Sequence, residues 1–240
     1  MIIQRYLEEM TKIQTNILDF LDSDTDFEIK FQYLKNLFDE TNIHNDKHKL
    51  KSFFYLLLYI SNNHHRKNNF NDKIVSILQL FTNDMKKYYS QFELFRFFIS
   101  SKRILLFLLE ENIITFDKSM IELMREFKYT SSSYAEYFTP EIRPILKDSI
   151  EEVAAKDPYS IEARLLKEIP DNFYIDRRKG ENESYICQLI REDNIDEFIA
   201  YLTKNNYTVD YRIRRSIYDT SPVLIKGNYE YSLVKYAAFN

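Results

Sequence analysis

Apolar side chains recur at spacings of three and four along most of this chain, the period of helices that bury one face. Ile3, Tyr6, Met10, Ile13, Ile17 and Phe20 form one stripe and predict a long first helix. Thr25 and Glu28 read as a capping box for a second helix striped by Phe27, Phe31, Leu34 and Phe38. A third helix, about Lys47–Ser61, is apolar around most of its girth from Phe53 to Ile60 and so is expected at the centre of the N-terminal half. A fourth, about Asp72–Tyr89, carries Ile74, Ile77, Leu78, Phe81 and Met85.

Ser90 and Glu93 form another capping box, and a break at Ser100-Ser101 splits the next apolar stretch into a hairpin of two short helices. Phe53, Phe54, Leu57, Leu58, Leu105, Leu106 and Leu109 are the expected core. Asp117 caps a helix with Met120, Ile121, Met124 and Phe127; Tyr129–Ser133 reads as a polar break. Thr139-Pro140-Glu141 is a helix start with Thr139 as cap. Asp157-Pro158 and Ile169-Pro170 fence a helix capped by Ser160. An internal echo matches Leu109, Asn112, Thr115 and Asp117 to Leu202, Asn205, Thr208 and Asp210 at an offset of 93 (202 − 109).

The first half of the C-terminal stretch Arg177–Asn240 reads as a helix–turn–helix. Ser184 caps a helix with Tyr185, Ile186, Leu189 and Ile190, and Glu192-Asp193-Asn194 is a tight polar turn. A second helix presents Ile195, Phe198, Ile199 and Leu202. Tyr211–Asn228 reads as an extended, projecting loop, and Tyr231–Ala238 as the start of another helix showing Leu233, Val234, Tyr236 and Ala237. The pattern predicts an all-α fold of stacked helical hairpins, solenoid-like. Residues 1–150 are an N-terminal helical domain, 151–176 a Pro-marked transition, and 177–240 the start of a repeat array.

Arg177–Leu202 and Tyr231–Asn240, with Lys102–Asp117 and Tyr137–Leu146 upstream, resemble the expanded ankyrin-repeat proteins of trichomonad protists. In that family an N-terminal helical region precedes a run of ankyrin repeats. Leu233 stands in place of the ankyrin Leu and Ala237 in place of the helix Ala; Tyr231-Ser232 replaces Thr-Pro, and Asn194 replaces the turn Gly at the left-handed position. Ile186 is the position equivalent to Leu233, an interval of 47 (233 − 186), longer than the roughly 33 of a standard repeat. The resemblance implies a protein–protein interaction scaffold with no catalytic activity, no cofactor, and further ankyrin repeats C-terminal to this stretch.

Composition narrows the function classes. A net charge of -4 argues against a dedicated nucleic-acid binder. The single cysteine, Cys187, fits a reducing, cytoplasmic setting. The longest apolar run, Phe53–Ile60, is far short of the roughly 20 residues that span a bilayer, so no membrane insertion is expected. With 2 Gly there is little material for phosphate loops, and no nucleophile elbow, P-loop or zinc cluster occurs. His44 and His48 are four apart, but Asn45 follows His44 where a zinc protease needs Glu; they and His64-His65 read as solvated loop and cap. The expected partner is an unidentified protein, bound through Tyr211, Arg212, Arg214, Arg215 and Tyr218, since Arg and Tyr anchor interfaces. The alternative is nucleic-acid contact through the Arg177–Lys179 and Arg212–Arg215 loops, and an enzyme is the reading least supported.

Overall fold

A computed structural model describes residues 2–64, 69–126, 131–221, 224 and 230–239, without the side chains of 2, 131 and 132. The protein is predominantly helical. Sixteen α-helices lie among the described residues, together with one pair of three-residue strands. The chain divides into two compact units, 1–97 and 98–240.

The first unit holds α1 (Ile2–Leu21), α2 (Phe27–Glu40), a 3-10 turn at Ile43–Asn45, α3 (Lys47–Asn63), α4 (Phe70–Gln79) and α5 (Thr82–Tyr88), and runs into α6 (Gln91–Phe98). Its core is aromatic: the Phe81 ring lies 5.0 Å from that of Phe38 and 4.6 Å from that of Phe53. Of the first stripe, Ile13, Ile17 and Phe20 are buried, whereas Ile3 is exposed. Thr25 caps nothing; Asp26 precedes α2 and makes no side-chain cap bond. α3 is less enclosed than expected, because Tyr55 and Tyr59 face solvent and Leu58 is only half-buried. The expected fourth helix is two helices, broken at Leu80-Phe81, although all five of its apolar positions are buried. The Ser90–Glu93 capping box is reciprocal: Ser90 N donates to Glu93 Oε2 at 2.8 Å, and Glu93 N to Ser90 Oγ at 3.2 Å.

The second unit is built around α7 (Lys102–Glu110), whose residues 102–108 are all buried. This helix, not α3, is the one enclosed on all sides. Leu109, placed in the core by its spacing, is half-buried. Around it follow α8 (Lys118–Glu126), α9 (Ser131–Tyr137), α10 (Thr139–Leu146), α11 (Ile150–Lys156), α12 (Ile161–Leu165) and α13 (Phe173–Lys179). Asp117 caps α8, its Oδ1 accepting from Met120 N at 2.9 Å; Phe127 lies outside the described residues. The supposed break at Tyr129–Ser133 is helical from Ser131, with 129–130 outside the described residues. Thr139 is not a cap: its hydroxyl donates back to Ala135 O, and Phe138 holds the cap position. Ser160 caps α12 as expected.

Three helices end in the same left-handed turn. After α7, after α14 (Tyr185–Arg191) and after α15 (Ile195–Lys204), a residue with positive φ donates three residues back and its successor five back. The pairs are Ile113 N to Leu108 O at 2.8 Å, Asn194 N to Leu189 O at 3.0 Å, and Tyr207 N to Leu202 O at 2.9 Å. The left-handed residues are Asn112, Asp193 and Asn206. Asp193, not Asn194, therefore takes the turn position between α14 and α15, and Asn194 caps α15 instead. Aligned on these turns, α7 and α15 are offset by 94 (206 − 112), one residue from the register of the sequence echo.

Candidate functional site

Two of the expected partner-binding residues, Arg212 and Arg214, lie in a three-residue strand, and Tyr211 directly precedes it. β1 (Arg212–Arg214) pairs antiparallel with β2 (Glu230–Ser232), Ile213 opposite Tyr231. Strand alternation turns Ile213 inward and leaves Arg212 and Arg214 exposed. Leu233 N donates to Tyr211 O at 3.1 Å and ties the strand pair to the last helix, α16 (Leu233–Phe239). Tyr211 stacks on Tyr207 at 3.8 Å; Tyr207, Tyr201 and Tyr185 continue as a partly exposed tyrosine ladder.

The other expected residues are not available on that face. Tyr218 is buried against Phe173, and burial pushes its hydroxyl up to about 12. Arg215 is half-buried, with a terminal nitrogen donating to Ser133 Oγ at 3.1 Å. The projecting loop expected at Tyr211–Asn228 is, over its described residues, folded inward: Ser216, Asp219, Thr220, Ser221 and Leu224 are buried as well. Polar contacts hold it there. The Asp219 carboxylate accepts from Ser216 N at 3.0 Å and from Tyr231 Oη at 2.9 Å. Asn182 Nδ2 donates to Tyr231 Oη at 2.7 Å and to Arg214 O at 3.1 Å. Thr220 is bonded to Gly180 O through both its amide and its hydroxyl, and Ser216 Oγ donates to Glu183. Burial raises Tyr231 and Tyr236 far above the ordinary tyrosine range, so both hydroxyls stay protonated.

Lys102 is the most unusual group in this network. Its side chain is 1 % exposed, and Nζ donates to Ile217 O at 2.8 Å and Asp219 O at 3.3 Å. The rings of Tyr134 and Tyr137 lie 5.5 and 5.2 Å from the nitrogen. No ion pair to Lys102 occurs among the described residues, and burial, with repulsion from Arg215, pushes the amine down to about 7. Nothing in the sequence marked it: a Lys-Arg pair opening an apolar helix normally reads as a solvated end.

Arg177–Lys179 is not a loop but the last turn of α13. Arg177 is buried, held by both Glu141 oxygens at 2.9 and 2.8 Å and lying against Tyr137, Phe173 and Tyr174. Arg178 is exposed and donates to Glu110 at 2.8 Å. Cys187 is fully buried, and that burial pushes its thiol up to about 12, well away from nucleophilic reactivity at neutral pH. His44 stacks on Phe81 and bonds Asp84 at 2.6 Å, His48 is exposed near the start of α3, and His64 ends α3; His65 lies outside the described residues. No cluster of three or more metal-ligating side chains occurs among the described residues, and no helix among them is long and apolar enough to cross a membrane. No family model, characterised protein or solved structure matches the chain.

Proposed function

We propose that this protein is a protein–protein interaction scaffold of the ankyrin-repeat type, and that its partner docks on the face carrying Tyr211, Arg212 and Arg214. One observation carries the reading: among the described residues from Tyr185 to Phe239, two helices joined by a tight turn are followed by an antiparallel strand pair and a last helix, α16, which packs on α14. That is the order in which one ankyrin unit passes to the next. The core they share holds Ile186, Cys187 and Leu202 with Leu233, Tyr236 and Phe239. Leu233 and Ile186, the positions matched by the resemblance, both lie in it. Part of the 47-residue interval is taken up by the inward-folded residues 216–221 after β1. Exposed Ile195, Ile199 and Val234 are apolar surface of the kind a further helical unit would cover.

Affinity capture with the whole protein tests the reading when it is paired with an Arg212→Glu/Arg214→Glu double variant of unchanged helicity. A protein retained by the natural chain and lost by the variant supports it. Identical captured sets overturn it. If nucleic acid is captured instead, with affinity falling steeply as salt rises, the phosphate-contact alternative replaces it.

A further inference from the structure

We propose that the segment 215–221 is a proton-coupled latch: it closes over the Lys102 amine, and it opens with uptake of a proton by that amine. The geometry comes first. Two carbonyls of the segment, those of Ile217 and Asp219, are the hydrogen-bond acceptors of Nζ, so the segment is itself the lid over the nitrogen. The floor is aromatic, the rings of Tyr134 and Tyr137. The one carboxylate the segment brings in, Asp219, is turned to Tyr231 Oη and Ser216 N rather than to the amine.

The charged and titratable groups facing Lys102 are few. Arg215 on the segment opposes the charge, while Asp219 and Glu136 favour it. Tyr134 and Tyr137 on α9 stay neutral because burial raises both hydroxyls. A neutral amine still has two hydrogens for the two carbonyls, so deprotonation does not break the lid contacts. A charged amine under the lid is desolvated without an ion-pair partner, which is costly.

The direction of the linkage follows. Lys102 drops from its ordinary 10.5 to about 7 when the latch is closed and regains its ordinary value when water reaches it. Between those limits the closed form binds fewer protons than the open form. Closure therefore strengthens as pH rises from about 7 toward 10.5, and is independent of pH below about 7. The second unit contains no histidine, all 4 lying before residue 66, so no imidazole confounds this window.

Trypsin cleavage of the Arg215–Ser216 bond reads the open population when opening is fast relative to cleavage. The rate is divided by that of a free peptide of the same sequence at each pH. In the intact protein this ratio should fall as pH rises above 7, approaching about tenfold per unit for one proton. In Lys102→Met it should be flat. A second measurement does not depend on the variant folding: the Lys102 Cε resonance of the natural protein should titrate near neutrality. A flat or rising ratio in the natural protein, the same slope retained in Lys102→Met, or a Cε titration near 10 overturns the proposal.

Discussion

Asn112 and Asn206 hold positive φ angles of 51° and 53° where α7 and α15 end. In this chain of 240 residues with only 2 glycines, asparagine does the work that Gly usually does at such positions. A side chain with a β-carbon and no amide loses about 1–2 kcal/mol in that region. Asn112→Ala and Asn206→Ala should each lower the unfolding free energy by about that amount in urea titrations, whereas the Gly variants should not. This turn also explains what the sequence could not convey. The matched residues Leu109 and Leu202 suggested one register, but the hydrogen bonds align Leu108 with Leu202. A one-residue slip is invisible in a run such as Ile104–Leu109, where almost any shift still matches an apolar residue. The Asn194 assignment failed for a related reason: Asp and Asn both tolerate left-handed geometry, and both cap helices, so adjacent Asp193 and Asn194 could exchange roles on paper.

At the scale of elements, α16 is the clearest case of a face misread by one position. Its spacing suggested Leu233, Val234, Tyr236 and Ala237 together; the helix instead buries Leu233, Tyr236 and Phe239 and leaves Val234, Ala237 and Ala238 outside. Leu233→Ala should therefore cost about 2–5 kcal/mol in thermal or chemical denaturation, while Val234→Ala should stay within about 0.5 kcal/mol. Helix existence and the two strong serine caps, Ser90 and Ser160, were legible, because capping is a local event between a hydroxyl and an amide three residues on. The inward-folded segment was not. Ser216, Asp219, Thr220 and Ser221 form a polar run that reads as loop, and its burial is made possible by partners far away in sequence: Glu183, Gly180 and Lys102.

For the molecule as a whole, helical content and the capped start at Asp117 were readable, yet the centre of the second unit was not. α7 is apolar apart from its Lys102-Arg103 opening and Glu110, and both basic residues are buried. If the segment after β1 is packed as described, limited trypsin digestion at neutral pH should cut at exposed basic sites such as Lys156 well before Arg215. Early loss of the Arg215–Ser216 bond would contradict that packing. Of the five expected contact residues, Arg212 and Arg214 are exposed and Tyr211 half-buried; Arg215 turns inward with the parity of Ile213, and Tyr218, beyond the strand, is buried by its packing on Phe173.

The contact between Lys102 and its lid spans 115 and 117 residues of chain. On a ribosome adding about 5–20 residues each second, α7 emerges on the order of ten seconds before the segment that covers it. Until that segment arrives, Lys102 at the start of the apolar helix has neither carbonyl of its lid and keeps the ordinary pKa of a hydrated amine. Docking of the segment then expels water and, near neutral pH, part of a proton. The same side chain is thus fully charged in the unfinished unit and, near neutral pH, only partly charged once the segment has closed over it.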